Sequence, residues 1–374
     1  MKWEIEKLRS KKINALPPLL FLLLLLIPCA MQLTLSQNSR EEQRALNIEA
    51  ARVANEQEIE RLHQNNGNQN RIETLEEKSV LYTQQLDAIE QYNNRNQLQA
   101  ESRIAKIDYE EMFASKQSGP SVDEQKILVA KLDYFIENDM TIFDPLHSQQ
   151  LPLVNYLLYF SQMIPFVAVW GIALLFLSKF FTDESTDKTI AWNWLIPRNP
   201  FNILQQKSLI YGLWMQLSLL LPLGAVSGAI GIWNGWGDRQ YPLFFIDQQQ
   251  NVAMNLAGQY LLQLLFGTFL LMIFLTSLCA LIAAICHNYP LTLGIAFGFS
   301  LLSTWLSNDR LAASGFYPGN FFQMPKFIAV NQTTTIYQMY IALVLFSFIF
   351  FLLLKIVTQQ KEKGRGRGFF RISP

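Results

Sequence analysis

The chain has 374 residues, half of them apolar and 16% charged, with 27 Phe, 8 Trp and a formal net charge of zero. Apolar residues gathered into long runs exclude an ordinary soluble domain, and the absence of bulk positive charge excludes a nucleic-acid binder. The balanced total hides a polarity along the chain, which orients the predicted elements below.

Residues 1–16 carry five Lys/Arg against two Glu, net +3. Trp3, Ile5 and Leu8 are spaced for one face of a basic amphipathic stub lying on a membrane surface, before Pro17 and Pro18 open the first apolar run. Long, nearly uncharged runs over 16–37, 152–178, 208–233, 252–286, 290–306 and 335–357 predict six transmembrane helices, since a bilayer core asks for about 20 such residues. Cys29, Cys279 and Cys286 all sit in or at the ends of these runs, so no disulfide framework holds the polar region outside them. Pro28 stands where a lipid-attachment site has a small residue, so the first run reads as an uncleaved anchor.

Residues 38–151 hold twelve basic and twenty-one acidic residues, net −9. They predict a coiled-coil-like helical hairpin with arms 38–63 and 71–94, each about 35–40 Å long, broken by QNNGNQN at 64–70 and again at 92–96. Leu46, Val53, Ile59 and Leu62 form the thin apolar set of the first arm, and Ile72, Leu75, Tyr82, Leu86 and Ile89 the seam of the second. Further helices follow before and after the SGP break at 118–120, with no strand-like alternation of useful length. His63 and His147 lack a second ligand at metal-binding spacing, and neither a His-Glu-x-x-His pattern nor a catalytic triad can be assembled. Enzyme activity in this chain is not expected, and neither is a cofactor of its own.

Ser178 to Lys207 is net +1 and mixes charges with Phe180, Phe181, Trp192, Trp194, Leu195, Ile196 and Phe201. Such a mixture suits a short helix lying in the membrane interface, either as a tether or as a surface through which a partner moves the spans. Within the spans the polar residues are uncharged. Gln216 and Ser218, then Asn255, Gln259 and Gln263, then Thr292, Ser300, Ser303 and Thr304 are candidates for helix-to-helix bonding or for lining a translocation path. Asn255, Gln259 and Gln263 fall four apart and are expected on one helix face. Gly224, Gly228 and Gly231 offer close packing or a dimer contact. The loop 307–334 keeps enough Phe, Tyr and Pro to dip back into the interface.

Residues 355–374 hold six Lys/Arg against Glu362, net +5, a tail (358–374) suited to anionic lipid. With six spans, the three basic segments share one side, so both termini are expected in the cytoplasm and 38–151 outside. The expected fold is therefore all-α, with stub and first span at 1–37, the outer helical region at 38–151 and five further spans in 152–357.

The inner segment carries an acidic residue, Glu184, then Thr189, a Pro-Arg element at Pro197 and Arg198, and Lys207 opening the third span. In this order, and between spans two and three, they resemble the permease subunits of bacterial type 2 ATP-binding-cassette exporters, although Lys188 stands where the family has a small residue. The resemblance implies a protein of the cytoplasmic membrane in which Glu184, Thr189, Pro197, Arg198 and Lys207 contact a separate ATPase subunit that binds ATP and Mg. It also implies a homodimer, or a heterodimer with a related permease, exporting a peptide, lipid-like or amphiphilic substrate, with Gln216, Asn255, Gln259, Gln263, Ser300 and Thr304 as path candidates. The chain has no Gly-x4-Gly-Lys-Ser/Thr phosphate loop of its own. The alternative is a membrane-anchored sensor or assembly protein that binds its partner through the outer helices.

Overall fold

The computed structural model describes residues 6, 8, 12–34, 37–65, 68–91, 93–114, 120–140, 151–186, 200–246, 251–306, 314–331 and 333–366. Thirteen α-helices and one two-stranded sheet are found among them, in chain order. They are α1 (Leu16–Thr34), α2 (Gln37–Gln64), α3 (Gln69–Glu90), α4 (Asn94–Ala114), α5 (Pro120–Glu137), α6 (Leu153–Met163), α7 (Phe166–Thr186), α8 (Pro200–Asn234), β1 (Pro242–Ile246), β2 (Val252–Leu256), α9 (Ala257–Cys286), α10 (Tyr289–Trp305), α11 (Gly319–Phe322), α12 (Met324–Val330) and α13 (Thr333–Gly366). Their contacts form two compact units, one from 1–28, 157–237 and 258–374 and the other from 29–156 and 238–257.

Five helices are long and apolar enough to cross a membrane: Ile13–Met31, Phe166–Asp183, Phe201–Asn234, Ala257–Cys286 and Thr333–Gln360. The chain is thus a polytopic, all-α protein with the make-up of a multi-pass membrane protein. The sixth expected span is α10, whose 17 residues give about 25 Å, short of a hydrocarbon core of about 30 Å. Boundaries also shift. Pro165 divides the expected 152–178 span into α6 and α7, and α7 continues as helix to Thr186. Helix α8 begins at Pro200, so the polar connection between α7 and α8 shrinks to 187–199, which lies outside the described residues. The interfacial helix expected within 178–207 is accordingly replaced at both ends by continuations of α7 and α8.

Aromatic packing builds the core of the first unit. The short helices α11 and α12 carry the segment expected merely to dip into the interface, and Phe321, Phe322, Met324 and Ile328 are buried in it. Phe274 of α9 meets Phe321 at 5.6 Å and Phe350 of α13 at 5.5 Å between ring centroids. Trp170 of α7 packs on Phe297 of α10 at 5.1 Å, and its indole N–H donates to the Phe322 carbonyl at 3.3 Å. That bond satisfies a buried donor while the ring fills apolar volume. Gly315 allows the chain to enter α11, since a Cβ there would collide with Thr335 O and Gln338 Cβ.

In the second unit, α2, α3, α4 and α5 each pack against the next. Asn68 caps α3, its side-chain oxygen accepting from Asn70 N at 3.1 Å. The buried face of α3 runs through Ile72, Leu75, Lys78, Leu81, Gln85 and Ala88, not through the expected Tyr82, Leu86 and Ile89, which are half-buried. Packing on both α2 and α4 explains the difference, because a helix between two neighbours buries the stripe between its two contact faces. On α2 the expected seam residues Leu46 and Val53 are exposed. The strands are a further departure from a purely helical outer region. β1 pairs antiparallel with β2, Phe244 opposite Met254, and Phe244 and Tyr241 pack on Tyr134 and Phe135 of α5 at 5.8 Å and 5.3 Å.

Candidate functional site

Helices α7 and α8 approach each other where the polar connection leaves and re-enters. Phe180 stacks on Tyr211 with centroids 4.9 Å apart, and Phe181 meets the same ring edge-on at 5.7 Å. All three rings are buried. The aromatic contact packs α7 on α8, six residues before the end of the first and eleven residues after the start of the second. One turn from Tyr211, Lys207 is buried in α8. Thr182 returns its hydroxyl to Ser178 O at 2.7 Å, and Ser178 Oγ lies 3.8 Å from Cys279 Sγ of α9. Of the expected coupling residues, Lys207 is therefore placed beside the clamp and Glu184 lies in the last turn of α7. Thr189, Pro197 and Arg198 lie outside the described residues.

The helix directions follow from side-chain contacts. Gln216 of α8 donates from Nε2 to Phe269 O of α9 at 2.7 Å, and Gly212 of α8 faces Thr276, so α8 and α9 run antiparallel. Tyr340 of α13 reaches Gln263 of α9, and Phe350 reaches Phe274, so α13 runs parallel to α9. Tyr317 donates to Ser303 O at 2.7 Å while Gly315 lies against Thr335, which brings the end of α10 beside the start of α13. Lys179, Lys207 and Lys355 consequently share one end of the helical unit. Trp233, Trp236, Trp305 and Tyr337, at 80%, 63%, 81% and 59% exposed, share the other. The indole end also holds exposed Lys326, next to Pro325 whose carbonyl accepts from Tyr260 of α9, so both ends carry the polar and aromatic groups found at membrane interfaces, with three lysines at the first and the indoles at the second.

The six path candidates are not brought together. Gln216 satisfies its amide across α8 and α9 as above. Ser300 bonds to Ala296 O at 2.9 Å and Thr304 to Leu301 O at 2.7 Å, each within its own helix. Asn255 belongs to β2, opposite Leu243, so it does not share a helix face with the two glutamines. Gln259 and Gln263 remain one turn apart on α9, the first exposed and the second with a buried side-chain oxygen that has no hydrogen-bond partner. Nothing lies within 4 Å of a Cβ built at Gly224 or Gly228, whereas Gly231 is covered by the Trp236 ring. The close packing expected of all three glycines is found at Gly231 only.

A charged cluster with a buried lysine lies in the other unit. Lys78 of α3 sits between Asp108 and Glu111 of α4 at 2.7 Å and 2.6 Å. Burial works against its charge, but the hydrogen bonds and charges of the two carboxylates prevail and raise its pKa. Burial, and after it the charge of Asp108, likewise raises the Tyr82 hydroxyl. No trio of His, Cys, Asp or Glu able to hold a metal ion occurs among the described residues, and His63 is exposed. Sequence reading missed Tyr211, the partner of Phe180 and Phe181. Its position one turn after Lys207 is the signal that could have found it.

No protein-family model matches the chain, and neither a curated protein nor a solved structure is similar to it.

Proposed function

We propose that the chain is the membrane-embedded permease subunit of an ATP-driven exporter, with 187–199 as the surface that a separate cytoplasmic ATPase engages. The observation that carries the reading is the Phe180, Phe181 and Tyr211 contact, which fastens α7 to α8 beside buried Lys207 at the lysine end. A push between two helices that do not touch would be lost, whereas a push on either of two helices packed on each other is passed to the second. In this reading the lysine end faces the cytoplasm and α10 is a sixth, short span, with the membrane thinned or the helix extended to accommodate it. Both termini are then cytoplasmic, and 38–151 stands outside the cytoplasmic membrane of a bacterium. ATP and Mg bind to the partner, and two permease copies, like or unlike, complete the membrane unit. The cargo is a peptide, a lipid-like molecule or another amphiphile.

Affinity purification of the tagged chain from its native membrane tests the proposal. Recovery of an ATP-hydrolysing subunit in stoichiometric amount is expected. Its absence, together with capture of a partner by α2 to α5, would favour the sensor or assembly reading. Exposed Leu46 and Phe113 on α2 and α4, at 67% and 71%, are the observation on that side.

A further inference from the structure

Two neighbouring helices of the second unit present exposed stripes of opposite charge. On α3, Glu73, Glu76, Glu77, Val80 and Asp87 recur at helical spacing and share the solvent face, while Lys78, the one base between Glu73 and Glu90, is buried. On α4 the exposed face carries Arg95, Arg103 and Lys106, with Glu110 one turn further on. Glu77 and Arg103 meet at 3.5 Å, which sets the two stripes side by side on one face of the α3 and α4 pair. Leu81, Ala100 and Ile104 pack behind them.

The acids of this face are not matched within the chain. Glu73, Glu76 and Asp87 make no ion pair among the described residues, and Arg95 reaches Asp139 only at 3.9 Å. Stripes of opposite sign lying side by side complement a second copy of themselves. A two-fold axis parallel to the helices lays α3 of one copy over α4 of the other and keeps every residue at its own height. The contacts of Glu77 with Arg103 and of Lys78 with Asp108 fix those heights. Glu76 then meets Lys106 of the second copy, Asp87 meets Arg95, and Val80, 57% exposed, lies on the apolar stem of Arg103. An axis across the helices would set acid on acid and base on base, so the charges select the parallel one. Glu73 against Glu110 is the like-charged pair that this geometry leaves. Each helix is about 30 Å long and the pair about 20 Å wide, so the face offers about 600 Å² per copy, at the lower end for a specific interface. Two chains held in one membrane meet at high effective concentration, for which a contact of that size suffices.

We propose that the exposed face of α3 and α4 is where two copies of this chain join, Glu76 and Asp87 of each pairing with Lys106 and Arg95 of the other. The contact deepens the exporter reading, resting on it for the need of two permease copies and committing them to be alike. It requires no ATPase, so its failure and the failure of the exporter reading are separate results.

The test uses the full chain in its membrane, with Cys29, Cys279 and Cys286 replaced by Ser and two differently tagged forms expressed together. One form carries Gln84→Cys and the other Gln99→Cys, at exposed positions of matching height on α3 and α4. Mild oxidation should join the two tags, less so at high salt. Glu76→Lys with Asp87→Lys in both forms should lower the mixed disulfide by about tenfold, and so should Arg95→Glu with Lys106→Glu in both. The first pair in one form and the second pair in the other should restore it, because each stripe again meets its opposite. Should a reversed form fail to fold, judged by helicity, two milder changes keep the comparison. Glu110→Lys should raise the yield by removing the like-charged pair with Glu73, and Glu76→Gln should lower it. Absence of the mixed disulfide in folded protein, or a yield indifferent to all these charges, overturns the proposal. ATPase capture without the disulfide would leave the exporter reading standing without this contact, and the disulfide without ATPase capture would do the reverse.

Discussion

Lys78 and Glu111 face each other across α3 and α4 with 2.6 Å between Nζ and Oε2, and the lysine side chain is only 7% exposed. A lysine on the buried face of an amphipathic helix is tolerable because Asp108 and Glu111, 36% and 34% exposed, bring both compensating charge and contact with water. Replacing Lys78 with Met keeps the bulk but leaves two carboxylates together. Breaking a fully buried pair costs about 3–5 kcal/mol, and the partial exposure of the acids reduces the expected loss to about 1–3 kcal/mol. Lys106→Met, which removes an outer bond to Asp133 at 2.8 Å, should cost about 0–1 kcal/mol. Chemical unfolding of the purified chain, followed by helicity, ranks the two.

The same cluster sets an alkaline limit. The pKa of Lys78 is raised above 10.5 in the folded chain, so the protonated form favours folding. Its contribution is complete below 10.5, the unfolded value, and fades as pH rises through the folded value. Tyr82, also raised from 10.0, acts in the same direction. The midpoint for α2 to α5 should thus be level between pH 7 and 9 and fall above about 10.5, and Lys78→Met should flatten part of that fall. A midpoint that stays level to pH 11.5 would refute the linkage.

Helix breaks were readable because they rest on local chemistry. Asn and Gly at 64–70 and Gly and Pro at 118–120 mark helix ends whatever the tertiary surroundings. The buried face of α3 was not readable, since burial of Lys78 depends on carboxylates some thirty residues away in sequence. The β1 and β2 pair was hidden for a related reason. Val252 to Leu256, with Asn255 as its one polar residue, runs without a charge, Gly or Pro of its own into the apolar run that follows, so hydropathy merges strand and helix, and only pairing with Pro242–Ile246 separates them. Likewise the four-residue spacing of Asn255, Gln259 and Gln263 was a true helical signal for the last two alone. The Tyr211 clamp depends on antiparallel packing of α7 and α8, which spacing within either helix does not encode.

Two glycines distinguish packing need from mere smallness. Ala at Gly315 would place its methyl group against Thr335 O, Gln338 Cβ and Met339 N, two of them backbone atoms that cannot turn aside. A loss of about 1–3 kcal/mol is expected. Gly224→Ala meets nothing within 4 Å and should be neutral or slightly stabilising, by up to about 1 kcal/mol, because it sits inside α8. Thermal aggregation of the two variants in one detergent would expose a wrong assignment if Gly224→Ala proved the weaker protein.

Orientation can be read by labelling. With Cys29, Cys279 and Cys286 replaced by Ser, a single cysteine at Asn66 or Ser118 should react with an impermeant maleimide in intact cells. A cysteine at Glu6 or Gly366 should react only after permeabilisation. Reaction of Gly366→Cys from outside would remove the sixth span and return α10 to a buried or interfacial helix.

The exporter reading turns on whether 187–199 transmits force, and the clamp allows its two parts to be separated. Glu184→Ala with Arg198→Ala changes side chains assigned to partner contact. In the exporter reading these charges serve a partner and not the fold of the chain itself, so insertion and yield should stay near wild type. A charge buried and hydrogen-bonded at a docked surface is worth about 2–5 kcal/mol on truncation, so ATPase capture should fall by more than tenfold. Tyr211→Leu acts differently. It keeps apolar volume but removes the ring that holds Phe180 at 4.9 Å and Phe181 at 5.7 Å, a contact worth about 0.5–1.5 kcal/mol beyond its buried area. The partner should still bind this variant, because the docking side chains are untouched. Substrate-stimulated ATP hydrolysis in lipid vesicles should nevertheless drop, because the pushed segment no longer moves α7 and α8 together. Loss of binding in the charge variant with loss of stimulation alone in Tyr211→Leu would place recognition and transmission in adjacent but distinct residues. Full stimulation in both variants would leave 187–199 as an interfacial tether and remove the physical basis for coupling.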